Sequence, residues 1–231
     1  MKTNIAIIVS GGSGVRMHSD IPKQYISVAG KTILEHCVAK FIHHPLISGI
    51  IVVAHTDYID TVEELMNDFR KIKHVEIVCG GAQRYHSVYQ GLLKAEAMAP
   101  DGNVLIHDAV RPNVDETTIN GVVEALSEYE AACPLIAVAD TVMQLKEGFQ
   151  PKPLNRSEIK LVQTPQGFRL DKILFAYREF FSQSNIEPTD DASIYLRYAF
   201  NADLAVTKGN PENFKITFPG DISRFEQLFS V

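Results

Sequence analysis

Short apolar runs rich in β-branched residues recur along the first part of the chain: Ile5–Val9, Ile50–Ala54, Val75–Cys79, Val104–His107 and Leu135–Val138. Such runs, with no polar residue on alternate positions, predict strands buried on both faces. Between them the apolar period changes. Leu34, Cys37, Val38 and Phe41 fall on one helical face, as do Ile119, Val122, Val123 and Leu126, and a third helix is predicted over Tyr85–Met98. Strands alternating with amphipathic helices predict an α/β fold, a mostly parallel sheet flanked by helices on both sides.

The alternation breaks after Thr141. Val142–Leu145, a turn with Gly148, Pro151 and Pro153, and Ile159–Val162 predict a β-arm that leaves the sheet at about 140–162. A long hairpin has little to bury alone, so pairing with a second copy as a homodimer is expected. Helix returns from Leu170 to about Phe181, with Leu170, Ile173, Leu174, Tyr177 and Phe181 on one face. The aromatic cluster Phe175, Tyr177, Phe180 and Phe181 is expected to be core. No repeat, low-complexity tract or Pro/Ser-rich linker interrupts the pattern, so residues 1–231 are expected to be a single domain with an arm.

Composition narrows the function classes. With 231 residues, 45% of them hydrophobic, there is ample material for a core. The net charge of −6 argues against a chain that works by neutralising a nucleic-acid backbone, so any anion must meet a local basic pocket. Cys37, Cys79 and Cys133 are odd in number and sit in apolar surroundings, as expected of reduced core thiols. The first apolar run is too short for a secretion signal and none approaches a membrane span, so a cytoplasmic location without a membrane partner is expected. His43-His44 and the other histidines lack metal-ligand spacing and are expected at the surface.

Chemistry enters where the first strand empties into Ser10-Gly11-Gly12-Ser13-Gly14-Val15-Arg16-Met17, followed by Pro22-Lys23-Gln24-Tyr25. Three glycines in four residues let backbone N–H groups approach a ligand closely, which suits a phosphate cradle. Arg16 and Lys23 add two cations beside it. No Gly-Lys-Ser/Thr closes the loop, which argues against a P-loop NTPase, and the Gly-x-Gly-x-x-Gly spacing of a dinucleotide fold is missing. The cradle instead suits a nucleoside triphosphate attacked at phosphorus, where catalysis is chiefly positioning and charge stabilisation. Ligands of such sheets bind beyond the carboxyl ends of the strands. That rule brings the glycine loop, Gly80-Gly81 and the segment His107–Pro112 to one rim, with Arg84 and Ser87 placed to read a base or ribose.

These segments carry a resemblance. The glycine loop with Pro22–Tyr25, Gly80-Gly81-Ala82-Gln83-Arg84-Tyr85-His86-Ser87-Val88, His107–Pro112, Thr164-Pro165-Gln166-Gly167-Phe168, Thr189-Asp190-Asp191-Ala192-Ser193 and Asn213-Phe214-Lys215-Ile216-Thr217 occur in that order. Over about residues 4 to 225 the chain resembles the 2-C-methyl-D-erythritol 4-phosphate cytidylyltransferase family, which includes ribitol-5-phosphate cytidylyltransferases. The resemblance implies a Rossmann-like nucleotidyltransferase fold and a homodimer paired through the arm. It also implies transfer from CTP to a polyol phosphate with Mg²⁺, a step of isoprenoid precursor biosynthesis for the methylerythritol substrate. By the same carry-over Ser10–Gly14 wrap the triphosphate, and Arg16, Lys23 and Lys215 neutralise charge at the five-coordinate phosphorus. Gly80, Gly81, Arg84, Ser87, Asp108 and Ala109 contact the nucleotide, with Asp108 facing the Mg²⁺–phosphate complex directly or through water. Arg111, Thr141, Arg156, Thr164 and Thr189 contact the polyol phosphate, Arg156 from the arm. Thr189 is expected to cap the next helix, leaving Asp190 and Asp191 structural.

Two positions depart from the methylerythritol pattern: Gly11 in the loop and Asn155 before the arm arginine, both closer to the ribitol type. A ribitol 5-phosphate substrate is the alternative within the family. A pyrophosphorylase using another base and a non-catalytic nucleotide-binding module are the alternatives outside it.

Overall fold

The computed structural model describes residues 2–12, 21–146, 148–183 and 187–229. In chain order the first half runs β1 (Asn4–Ser10), the hairpin β2 (Ser27–Val28) and β3 (Lys31–Thr32), α1 (Ile33–Ile42), β4 (Gly49–Ala54), α2 (Ile59–Leu65), α3 (Asn67–Arg70), β5 (His74–Cys79), α4 (Arg84–Met98) and β6 (Asn103–Asp108). The second half continues α5 (Glu116–Ala125), β7 (Ala131–Ala137), β8 (Met143–Gln144), β9 (Lys152–Pro153), β10 (Lys160–Val162), β11 (Gln166–Arg169), α6 (Leu170–Gln183), α7 (Asp191–Tyr198), β12 (Leu204–Lys208) and α8 (Pro219–Glu226).

β5, β4, β1 and β6 are parallel neighbours, the strands that the apolar runs predict. β11 inserts antiparallel between β6 and β7, and β12 runs parallel along the far edge of β7. Leu135 pairs both with Lys208 of β12 and with Val162 of β10, so β10 lies on the β11 side of β7. Lys160 to Arg169 is therefore one antiparallel strand interrupted at 163–165, where the Thr164–Pro165 peptide is cis.

The period-2 geometry of the central strands divides the apolar residues between two cores. Ala6, Ile8, Ile50, Val52 and Leu105 pack with α1, α2 and α5 on one face. Ile5, Ile7, Ile51, Val53, Val104 and Ile106 pack with α4, α6 and α7 on the other. Each fully buried Ile, Val or Leu contributes about 1.5–3 kcal/mol, which explains the apolar middles of β1, β4 and β6; Asn4 and Asn103, which open β1 and β6, bond each other at 2.9 Å. Helix starts are closed locally: Thr32 and Glu35 form a reciprocal capping box on α1, and Asp115 Oδ1 accepts from Thr118 N at 2.9 Å on α5.

Several expectations are corrected. Asp190, not Thr189, caps α7: its Oδ1 accepts from Ser193 N at 2.9 Å, a carboxylate being favoured over a hydroxyl by the helix dipole. Cys79 is exposed, because β5 is an edge strand whose last residue reaches solvent. His44 and His107 are buried: His44 Nδ1 accepts from Leu46 N at 3.3 Å, and His107 has a partner at each ring nitrogen. Tyr177 and Phe180 are core, but Phe175 points off the buried face of α6 and Phe181 sits at its rim against His86 and Tyr89. The arm is present, with β8 and β9 paired antiparallel and Leu145 and Phe149 each 74% exposed. Among the described residues no helix is long and apolar enough to cross a membrane.

Candidate active site

The carboxyl ends of β1, β4, β5 and β6 open on one cleft of about 440 Å³. Of the residues singled out in the sequence, Ser10, Gly11, Gly12, Lys23, Gly81, Arg84, Ser87, Asp108, Ala109 and Lys215 line it. Ser13, Gly14 and Arg16 lie outside the described residues.

The loops around the cleft are braced by buried side chains. Gln24 Nε2 donates to the carbonyls of both Ser10 (2.7 Å) and Gly12 (2.9 Å), tying the glycine loop to the helical turn Lys23–Tyr25. Ser87 stands between the two glycine loops. Its Oγ accepts from Gly81 N at 3.1 Å, and a Cβ would lie 2.7 Å from it at Gly80 and 3.1 Å from it at Gly11. Any side chain at Gly80 would push the turn off this hydroxyl, so the approach requires glycine there. Ser87 is thus a spacer beneath the loops rather than a hydroxyl free to read a base.

Asp108 is the electrostatic centre. Arg84 Nε donates to its Oδ1 at 3.0 Å and Lys215 Nζ to its Oδ2 at 2.8 Å, with Arg111 Nε 4.0 Å away. Burial acts to raise the Asp108 pKa, but Arg84, Lys215 and Arg111 outweigh it and hold the carboxyl well below the usual range. Arg84 turns its other edge to Asp191, fully buried at the start of α7, with NH1 and NH2 donating at 3.0 and 2.8 Å; Tyr177 OH donates to the same carboxylate at 2.6 Å. Despite burial, which opposes its charge, Arg84 is driven well above its ordinary pKa by Asp191 and Asp108. Lys23 is buried with its Nζ donating to Ile216 O at 2.6 Å, so the segment 213–217 holds one lysine of the cleft and carries the other, Lys215.

The described cleft residues include three cations, Lys23, Arg84 and Lys215, and one carboxylate, Asp108, which Arg84 and Lys215 hold. This is the local basic pocket that an acidic chain needs in order to hold a polyanion. No cluster of three or more His, Cys, Asp or Glu side chains suited to a metal occurs among the described residues. Among the described residues Asp108 alone presents a carboxylate to the cleft.

The expected polyol contacts are dispersed. Arg111 NH1 donates to Asn213 O at 2.8 Å and braces the segment that carries Lys215. Thr164 is buried, its hydroxyl engaged by His107 and by the Asp108 amide, and it lines neither cleft. Thr189 borders a smaller adjoining cleft of about 200 Å³ that shares Gln83 and Arg84 with the first. Thr141 and Arg156 are exposed near the arm and line neither cleft, Arg156 NH1 donating to Ala139 O at 2.6 Å. Both departures have local reasons. Gly11 packs against Ser87, and Asn155 donates to Glu158 Oε1 at 2.7 Å while accepting from Ser157 Oγ at 2.8 Å, where an aspartate would face a second carboxylate.

Sequence reasoning missed Gln24, Asp191, Tyr177 and His107 as parts of the site. The Arg84–Asp191 pair joins residues 107 positions apart, and only the adjacent acidic pair Asp190-Asp191 hints at it.

Residues 4–230 match the family described as IspD: 2-C-methyl-D-erythritol 4-phosphate cytidylyltransferase. The chain is 37% identical to the 2-C-methyl-D-erythritol 4-phosphate cytidylyltransferase of Clostridium botulinum, over 96% of this chain and 97% of that protein. It is 38% identical over 97% of its length to the bifunctional enzyme IspD/IspF of Rhodospirillum rubrum, of which it spans little more than half, 56%. The crystal structure of 4-diphosphocytidyl-2C-methyl-D-erythritol synthase from Anaerococcus prevotii superposes with a TM-score of 0.86 at 26% identity, covering 100% of this chain and 99% of that one. With the cleft at the carboxyl ends of a mostly parallel sheet and the motifs that line it, these matches over nearly the whole length show that the chain belongs to the 2-C-methyl-D-erythritol 4-phosphate cytidylyltransferase family.

Proposed function

We propose that the chain transfers the cytidylyl group of CTP to 2-C-methyl-D-erythritol 4-phosphate, forming 4-diphosphocytidyl-2-C-methyl-D-erythritol and pyrophosphate. The observation that carries this reading is the set of three cations on the wall of a cleft at the strand ends, in a chain of net charge −6. A phosphate oxygen of the polyol attacks the α-phosphorus in line, the bond to the β-phosphate oxygen breaks, and pyrophosphate leaves. No side-chain nucleophile takes part, so orientation and charge neutralisation supply the rate. Lys23 and Lys215 neutralise the phosphate oxygens, with Arg16 as the third cation expected from the loop. The Gly80-Gly81 turn after β5 is assigned to the cytosine through its carbonyl oxygens, which can accept from the base amine, because its two amides are bonded to Ala54 O and Ser87 Oγ.

The residues fit Mg²⁺ held mainly by phosphate oxygens and water, because among the described residues only one carboxylate, anionic Asp108, faces the cleft. When bound, the ion supplies charge neutralisation on the triphosphate. Thr189, Thr141 and Arg156 are assigned to the polyol phosphate, the last two reaching a partner's site in a homodimer. The exposed Met143, Leu145 and Phe149 of the arm supply the apolar surface for such pairing. The three unpaired cysteines suit a cytoplasmic setting. The test is pyrophosphate release from CTP with Mg²⁺ and the methylerythritol phosphate, set against ribitol 5-phosphate and against UTP, ATP and GTP.

A further inference from the structure

His107 precedes Asp108 at the end of β6, and its ring is fully buried against Phe41, with ring centroids 4.9 Å apart. Each ring nitrogen meets a partner: Nε2 lies 3.0 Å from the carbonyl oxygen of Arg111, and Nδ1 lies 2.9 Å from Thr164 Oγ1. A carbonyl only accepts, so this geometry assigns the proton to Nε2 and makes Nδ1 the acceptor. Burial pushes the ring pKa down to about 4, which keeps it neutral. The Thr164 hydroxyl then donates to Nδ1, and its oxygen accepts the Asp108 N–H at 3.2 Å.

The chain of hydrogen bonds is directed throughout, from Asp108 N–H to Thr164, from Thr164 O–H to His107, and from His107 Nε2–H to Arg111 O. Both ends lie in the same turn, which Arg111 N closes on Asp108 O at 3.0 Å. The turn after β6 is therefore wrapped around one imidazole. Asn213 extends the brace, its Nδ2 donating to Thr164 O at 2.8 Å while its own carbonyl accepts from Arg111 NH1 at 2.8 Å, two residues before Lys215.

We propose that His107 and Thr164 are positioning residues: the Nε2-protonated imidazole is the template that sets where Asp108 stands, and through Asp108 it aligns Arg84 and Lys215. What the aligned groups do rests on the cytidylyltransferase reading, whereas the bracing stands apart from it. Neither residue lines either cleft. An apolar side chain at 107 would leave a buried carbonyl and a buried hydroxyl without their partner, and each such loss is costly.

The test is a graded series on the full chain. Thr164→Ser keeps the hydroxyl and Thr164→Val removes it; His107→Asn keeps an acceptor near the Nδ1 position, His107→Gln a donor near Nε2, and His107→Leu neither. Thr164→Ser is expected to behave as wild type. Thr164→Val and His107→Leu are each expected to lower kcat roughly ten- to a hundredfold with both KM values little changed, and Asn and Gln to fall between. The double variant Thr164→Val/His107→Leu should be no slower than the slower single, because both break one chain. If His107→Leu does not fold, Asn and Gln paired with Thr164→Val give the same comparison.

Long-range ¹H–¹⁵N NMR supplies a readout besides activity: His107 should be the Nε2–H tautomer in the wild type. A Thr164→Val variant that raises KM for the polyol phosphate with kcat intact, beside a silent His107 series, would make Thr164 a substrate contact and overturn the proposal. An Nδ1–H tautomer would overturn it as well. Wild-type protein that releases no pyrophosphate from any substrate pair, yet shows the Nε2–H tautomer, would refute the cytidylyltransferase reading and leave the brace standing.

Discussion

Asp191→Asn is the substitution whose cost follows most directly from the geometry. The carboxylate is fully buried and accepts three hydrogen bonds, two from the Arg84 fork and one from Tyr177. Asparagine keeps one accepting oxygen but turns an NH₂ donor toward an Arg84 N–H, so one charge-assisted bond, about 1.5–3 kcal/mol, is replaced by a donor–donor contact. Removing one partner of a buried ion pair typically costs about 3–5 kcal/mol. The Arg84 side chain is 29% exposed, so water recovers part of that, and the expected loss is about 2–3 kcal/mol. Equilibrium urea unfolding measures it as a lower midpoint at unchanged slope. In a double-mutant cycle with Arg84→Leu the coupling should be about 2 kcal/mol, since the second substitution removes a charge that the first has left with one carboxylate, Asp108, in place of two. A loss under about 1 kcal/mol, or additive single effects, would refute the view that this pair is a buried, mutually dependent unit. Activity should fall too, because the same guanidinium holds Asp108 Oδ1.

Lys23→Ala should lower kcat by about a hundredfold or more, the scale for losing one group that stabilises transition-state charge, with little change in thermal midpoint; a near-wild-type rate would remove Lys23 from the machinery. Leu145→Asp with Phe149→Asp should convert a dimer to monomers in sedimentation experiments, and an unchanged mass would exclude the arm as the pairing surface. The folded-state pKa of Asp108 lies below its unfolded value near 3.8, so its ionised form contributes stability above about pH 4 that is lost as pH falls through the folded value. The stability gap between wild type and Asp108→Asn should therefore be constant from about pH 5 to 8 and close in more acid solution; a gap that widens toward acid would contradict the assignment.

What was legible in the sequence followed burial. β1, β4, β5 and β6 announce themselves because a strand covered on both faces, or nearly so, has few polar residues to confuse its period. β7 begins at Ala131, four residues before the expected Leu135, since Ala131, Ala132 and Cys133 are small and Pro134 reads as a breaker, yet Pro134 O accepts from Gln163 N at 2.9 Å, so its missing N–H falls on the side where the β10–β11 strand is interrupted. β11 escaped notice because Gln166 is polar and Gly167 is a poor strand former; there a Cβ would run into Val122 Cγ1 of α5. The glycine loop, Lys23, Asp108 and Lys215 were legible as motif residues. Their partners were not: Asp191, Tyr177 and His107 act through tertiary pairing, which no local periodicity encodes. Thr164 illustrates the converse, a motif residue whose hydroxyl is spent inside the protein.

The central claim is that this cleft joins CTP to a methylerythritol phosphate. Purified chain incubated with Mg²⁺, CTP and 2-C-methyl-D-erythritol 4-phosphate should release pyrophosphate stoichiometrically with 4-diphosphocytidyl-2-C-methyl-D-erythritol, while UTP, ATP, GTP and ribitol 5-phosphate serve as poor substitutes. Equal or faster release with ribitol 5-phosphate or with another nucleotide, or no release with any pair, would contradict it.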